Sequence, residues 1–323
     1  MILLSKCEQA MALDRVAVIG AGNVGATTAS RIVERDLADV VLYDVVPGLA
    51  EGKALDILQA LPLTPSGRTV RGTTEFSEIG SAGIFVITAG IRRGPGMSRS
   101  DLLRKNAEVI SGICKQLAEQ SPDSIIIMVT NPLDVMAYLA YRTTGFDATH
   151  VMGMAGLLDS SRFRAFIAQR TGVPYTEVDA MVLGGHGDLM VPVVSHTTVS
   201  GTPLREALGT TEIDELVERT RNAGGEIVSL LKNASAFYAP AEAIATMVTN
   251  IVRDERDLLS ASVLLQGEYG IDGIFLGVPV ILARSGLQEV VEIELEPAEK
   301  VALQRSAEEV RHRTAELDQL GLY

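Results

Sequence analysis

Cysteine is scarce in this 323-residue chain: Cys7 and Cys114 lie far apart and outside any C-x-x-C, so neither a disulfide framework nor a zinc knuckle is indicated. A reducing compartment fits such usage. Lysine is scarce too, six residues far outnumbered by arginine, a bias that carries no functional reading. Positive charge is short overall. The net charge of -13 argues against nucleic acid or an anionic membrane as the main partner, since both repel an acidic surface. Any anionic ligand must then be drawn in by local basic residues. No apolar run approaches the ~18 residues of a membrane span, and the opening MILLSKCEQA breaks at Ser5 and Lys6, too soon for a signal sequence. Nor does it carry the arginine-rich pattern of a transit peptide. The expectation is a soluble, cytoplasmic protein whose residues 1–13 form a loose extension. Repeats, low-complexity tracts and a Pro/Gly/Ser-rich linker are also missing. With 47% hydrophobic and 21% charged residues, nearly the whole chain should be packed, as one or two adjoining domains.

From Asp14 short apolar runs alternate with helical patterns: RVAVIG, a helix to about Asp36, VVLYD, an amphipathic run near 49–60, TVRGTT, GIFVITAG, the helical DLLRKNAEVISGICKQLAEQ, then SIIIMVTN. Strands written as continuous Val/Ile runs are buried on both faces, the mark of a parallel sheet flanked by helices. Beyond about residue 150 the pattern becomes mixed. EVDAMVLGGHGDLMVPVVSHTTV and GIFLGVPVILARSG read as antiparallel strands, and PAEKVALQRSAEEVRHRTAELDQL as a long amphipathic helix starting at Pro297.

Gly20-Ala21-Gly22-Asn23-Val24-Gly25 follows the strand VAVI and opens a helix. Glycine permits the tight turn, the close approach of backbone to a pyrophosphate and close helix packing, and the helix N-terminus offers N–H groups to phosphate. Nineteen residues past Gly25, Asp44 ends the second strand, where a carboxylate accepts bonds from ribose hydroxyls and repels a 2'-phosphate. The cofactor expected is therefore NAD, on a doubly wound Rossmann lobe. A P-loop is excluded, because Gly52-Lys53 is followed by Ala54 and lacks the upstream glycine.

Of four histidines only His186 has a special setting, Gly184-Gly185-His186-Gly187-Asp188. Flanking glycines let imidazole, the side chain best matched to proton transfer near neutral pH, project from a turn. In MAGLLDSSRFR, Asp159 and Arg162 stand three apart and face one side of a helix, able to orient a histidine and to grip a carboxylate, or simply to pair with each other. Ile91-Arg92-Arg93-Gly94-Pro95-Gly96-Met97-Ser98-Arg99 puts three arginines on a loop after a strand, where α/β folds bind ligands.

These motifs together resemble the lactate/malate dehydrogenase family, and within it the malate dehydrogenases that are closer in sequence to lactate dehydrogenases. The similarity runs from about Asp14 to the C-terminus and is carried by GAGNVG, TAG before the arginine loop, VTNPLDV, MAGLLDSSRFR and GGHGD, in the family's order. The spacing of Asp159, Arg162 and His186 matches as well. The resemblance implies an NAD-binding Rossmann domain over 14–152 and an α+β substrate domain over 153–323. It implies reversible hydride transfer between malate and oxaloacetate, a place in the tricarboxylic acid cycle, and a homo-oligomer, a tetramer before a dimer. His186 would be the proton donor and acceptor, Asp159 its orienting partner, Arg162 the fork for one carboxylate, Arg93 the partner of the second, and Arg99 the group that polarises the carbonyl. Asn131 would contact substrate and nicotinamide, with Val129 and Asn106 also lining the cofactor, and Gly20, Gly22, Asn23, Val24, Gly25 and Asp44 holding its other half. No metal is implied. The chain departs from the family at Ile91-Arg92, where Leu-Pro is common, and Arg92 reads as a solvated loop residue.

Two rivals define what must be tested. A lactate dehydrogenase of the same fold would differ at position 93. A non-catalytic NAD-binding regulator would lack one of His186, Asp159, Arg99 or Arg162, all of which are present. A short-chain dehydrogenase is disfavoured because no tyrosine is followed four residues later by lysine, and a zinc alcohol dehydrogenase because its cysteine ligands are missing.

Overall fold

The computed structural model describes residues 13–80, 82–91 and 96–323. The expectations for Cys7, Arg92, Arg93 and residues 1–12 lie outside the described residues. Leu13, assigned above to the loose extension, is instead buried in the core.

The first half runs β1 (Arg15–Ile19), α1 (Asn23–Glu34), β2 (Asp39–Tyr43), α2 (Leu49–Ala60), β3 (Val70–Thr73), β4 (Ile84–Ile87), α3 (Arg99–Gln120), β5 (Ile125–Met128), α4 (Leu133–Thr144) and β6 (Val151–Gly153). β1 pairs in parallel with both β2 and β4, so the chain winds outward in two directions from it. That reversal opens a crevice at the carboxyl ends of β1 and β4, where doubly wound sheets bind ligands. The continuous apolar runs are explained by burial of both faces. Val16, Val18, Val86 and Ile127 pack on one side with Ile32 of α1, while Ala17, Ile19, Phe85 and Ile126 pack on the other with Ile110 of α3 and Leu139 of α4. Each of these fully buried Val, Ile, Leu and Phe side chains contributes roughly 1.5–3 kcal/mol of transfer free energy.

The second half continues with α5 (Gly156–Thr171), the two-residue strands β7 (Val178–Asp179), β8 (Val182–Leu183), β9 (Val191–Pro192), β10 (Thr198–Val199) and β11 (Thr202–Pro203), then α6 (Leu204–Ala207), α7 (Thr210–Leu231) and α8 (Tyr238–Arg253). It ends with β12 (Leu258–Gln266), β13 (Asp272–Ala283), β14 (Gly286–Val290) and α9 (Pro297–Asp318). The fold is the expected α/β lobe followed by an α+β half. β12, β13 and β14 do not form a separate sheet: β12 joins β6 at Ser262 and Gly153, giving one nine-stranded order, β14-β13-β12-β6-β5-β4-β1-β2-β3. α8 also crosses over, packing Ile244, Met247 and Val248 into the core under α1. A smaller core of Phe163, Ile167, Val182 and Leu216 holds α5 against α7 and the short strands.

Candidate active site

The glycine loop sits at the β1–β4 crevice. Gly20 has φ +104, a conformation in which a side chain would also strike Thr88 and Ala89, and a Cβ on Gly25 would lie 1.8 Å from the Gly20 carbonyl oxygen. Gly22 is different: a Cβ there would meet nothing within 4 Å, so its outer face is open. Gly22 is also the N-cap of α1 and has no side-chain cap, which leaves the first-turn N–H groups of Asn23 and Val24 available to the anionic oxygens of a ligand. Asp44 stands at the end of β2 and accepts the Ala21 N–H at 2.7 Å through one oxygen and the Val46 N–H at 3.0 Å through the other. A carboxylate with one lone pair spent on each oxygen still has capacity for two hydroxyls. The shape, the free amides and the acid together fit an adenine dinucleotide without a 2'-phosphate.

A cleft of about 640 Å³ runs from Val24 and Thr88, past Gly90, Val129 and Asn131, to Arg162 and His186. It therefore joins the glycine loop to the second half. Asn106 is buried in its support: its amide accepts the Ile91 N–H at 2.8 Å and donates to the Asn131 carbonyl at 2.7 Å. That pair of bonds ties the strand end before the arginine loop to VTNP.

At the far end, His186 Nδ1 lies 2.7 Å from Asp159 Oδ2, and Arg162 Nη1 donates to Asp159 Oδ1 at 3.0 Å. Asp159, only 1% exposed, thus serves both neighbours. A carboxylate only accepts, so Nδ1 carries the donated hydrogen and Nε2 is the ring nitrogen left for proton exchange. Burial disfavours the imidazolium, but the charge and hydrogen bond of Asp159, with help from Asp134, outweigh it and hold the His186 pKa above its ordinary value. The Arg162 side chain is 11% exposed, and its Nε is buried without a hydrogen-bond partner among the described residues. A buried guanidinium donor of this kind calls for an anionic oxygen. Arg99 is placed differently. It is the first residue of α3, capped by Ser98 and Asp101, and its Nη2 pairs at 2.6 Å with Asp188, two residues beyond His186, on an exposed surface.

Three supports of this site were not read from the sequence. Asp134, 5% exposed in the first turn of α4, accepts the His186 N–H at 2.9 Å and the Ser262 hydroxyl at 2.7 Å. Burial pushes its pKa up, against the hydrogen bonds from Ser262 and His186. Ser306 of α9 accepts the Gly185 N–H at 2.9 Å, and the Gly277 carbonyl of β13 takes the Gly184 N–H at 2.8 Å. The GGHGD turn is therefore fixed from α4, α9 and β13 at once. An acid between apolar neighbours at the start of a helix, Leu133-Asp134-Val135, was the available signal for the first of these.

Comparison with known proteins agrees with this geometry. The family described as lactate/malate dehydrogenase, NAD binding domain, matches residues 14–153, and the lactate/malate dehydrogenase alpha/beta C-terminal domain matches residues 157–319. A malate dehydrogenase of Trichormus variabilis is 51% identical over 299 residues, covering 93% of this chain and 92% of its own. The structure of malate dehydrogenase from Salinibacter ruber superposes with a TM-score of 0.90 at 45% identity, covering 95% of this chain and 98% of that one. A lactate dehydrogenase from Cryptosporidium parvum, solved with lactic acid and β-nicotinamide adenine dinucleotide, gives a TM-score of 0.91 at 38% identity over 94% of this chain and 98% of that one. Family matches over nearly the whole length, on a fold and a site that already read as a dinucleotide-dependent oxidoreductase, leave one conclusion: the chain belongs to the lactate/malate dehydrogenase family.

Proposed function

We propose that the chain interconverts malate and oxaloacetate with NAD, and that the buried Arg162–Asp159–His186 cluster at the end of the cofactor cleft is the observation that carries this reading. Bound NAD supplies the hydride acceptor. The protein's part is to bind, orient and move one proton. His186 Nε2 takes the hydroxyl proton of malate and returns it in reduction, and Asp159 stabilises the imidazolium formed. Arg162 grips the carboxylate next to the reacting carbon, Arg99 leaves Asp188 to polarise the carbonyl, and Asn131 with Val129 and the buried Asn106 shapes the nicotinamide end. Arg93 pairs the distal carboxylate. A malate dehydrogenase relative at 51% identity, covering 93% of this chain and 92% of its own, favours this substrate over lactate.

The test is NADH oxidation with oxaloacetate and with pyruvate, side by side, in the wild type, Arg92→Gln and Arg93→Gln. Oxaloacetate should be preferred by roughly 1000-fold, because pyruvate brings no second carboxylate to pair the Arg93 guanidinium. Arg93→Gln should lower oxaloacetate activity severely and raise the pyruvate ratio. A wild type that prefers pyruvate overturns the malate reading, and a shift confined to Arg92→Gln moves the role to that arginine.

The same reading assigns residues 14–152 to cofactor and 153–323 to substrate, a place in the tricarboxylic acid cycle, a cytoplasmic location and a homotetramer. Exposed apolar side chains on α2 and α7, among them Leu55, Leu58 and Leu230, support association between copies. Light scattering in solution measures the subunit number. No helix among the described residues is long and apolar enough to cross a membrane.

A further inference from the structure

The Gly52-Lys53 dipeptide of α2, which failed as a phosphate loop, returns in the structure with a different use. Lys53 Nζ donates to the Ala21 carbonyl at 2.8 Å, across thirty-two residues of sequence. Ala21 itself is buried, and its N–H is the one taken by Asp44 at 2.7 Å. The two peptide units meeting at Ala21, in the middle of the glycine turn, are thus held from outside the turn by opposite charges, Asp44 just past β2 and Lys53 on α2. The Gly20 N–H is bound in turn by the Tyr43 carbonyl at 2.8 Å.

The peptide joining Ala21 to Gly22 matters because its N–H belongs to Gly22, the open residue in front of the helix start. A peptide is planar, so fixing the carbonyl direction fixes the N–H direction on its opposite side. With no side chain on Gly22 and no cap on α1, the turn has no device of its own to set that plane. Among the described residues Lys53 has no acidic partner within salt-bridge distance, so its ammonium is committed to the Ala21 carbonyl and to no ion pair.

We infer that Lys53 is a positioning residue for the dinucleotide: its bond to Ala21 sets the plane of the Ala21–Gly22 peptide and aims the Gly22 N–H at the cofactor's diphosphate. The inference rests on the reading of Gly20 to Gly25 as the NAD loop. It is specific to the diphosphate half, and so extends to any ligand that carries a diphosphate and adenosine without nicotinamide.

Calorimetric titration of the purified protein with NADH and with ADP-ribose tests it, using wild type, Lys53→Met, which keeps the stem and loses the donor, and Lys53→Gln, which keeps a donor without charge. Circular dichroism and thermal melting of the ligand-free variants check that each is folded at the titration temperature. The Met variant should bind both ligands about tenfold more weakly, the loss expected for one charge-assisted hydrogen bond, and the Gln variant should recover part of that loss for both. Binding by the Met variant within twofold of wild type overturns the inference. Equal losses in Met and Gln overturn it too, since they would show charge acting without the bond. A loss in Met that tracks a collapse of its melting temperature, with Gln neither destabilised nor weakened, assigns the bond to stability and overturns the positioning role. Wild type that binds neither NADH nor ADP-ribose brings down the cofactor reading itself, whereas wild type that binds both while Lys53→Met is unaffected brings down only the role of Lys53.

Discussion

The two ends of the cleft are built on opposite plans. The glycine-loop end is backbone: one contiguous turn whose shape comes from missing side chains, with the Asp44 carboxylate at its rim. The His186 end is side chains: a buried acid, a guanidinium and an imidazole brought together from α5 and the GGHGD turn, held by residues of α4, β12 and α9. Recognition of a common cofactor can be met by a rigid local shape. Moving a proton cannot, because it needs a pKa that only buried charge arranged in three dimensions provides.

The largest effect should come from the side-chain end. His186→Asn removes the proton carrier and should cost at least ~100-fold in turnover while NADH still binds through the other end, which pre-steady-state kinetics and titration would measure together. A comparable loss of NADH affinity would show that the ends are not separable. Asp159→Asn should come next. The raised His186 pKa keeps the ring protonated to higher pH, and reduction of a keto acid requires that protonated ring. Without the Asp159 charge the proton is lost at lower pH, so the alkaline limb of the rate profile should move to lower pH and the rate on that limb should fall by roughly tenfold or more. An unmoved limb would mean that His186 does not set it.

At the backbone end the effect is on choice rather than rate. Asp44→Ser should narrow the preference for NADH over NADPH by about tenfold, since the like charge facing a 2'-phosphate is gone. Equal efficiency of the wild type with both cofactors would remove the basis for that comparison. The smallest effect should fall on stability. Asp134→Ala strands the half-buried His186 N–H and should cost about 1–3 kcal/mol, whereas Asp134→Asn can still accept that N–H and donate to Ser262, and should cost less. Denaturant titration of both variants separates the two, and equal losses would show that the carboxylate's charge, not its bonds, supports the turn.

The same contrast governs what the sequence could reveal. The glycine turn and Asp44 are legible because their chemistry is contiguous, and His186 because glycines flank it. Asp134 reaches His186 across fifty-two residues and Ser306 reaches Gly185 across 121, contacts that leave no local period or motif. The α/β winding is legible in buried Val/Ile runs. The joining of β12 to β6 is not, because LLSASVLLQ carries two serines that are satisfied only in place, Ser260 by the Val182 carbonyl and Ser262 by Asp134. EVDAMVLGGHGDLMVPVVSHTTV promised longer strands than it forms, since its glycines and Pro192 interrupt any ladder after two residues.

The register pair between Ser262 and Gly153 joins two strands that are made far apart in the chain. A ribosome delivers β6 more than a hundred residues before β12, so a first half that folds as it emerges would present the outer edge of β6 with free N–H and C=O groups throughout that interval. Such an edge is a template for pairing with another chain. The short length of β6, three residues, limits what can attach there. Closing it with a hairpin that also carries Ser262 to Asp134 couples that edge of the sheet to one part of the His186 support.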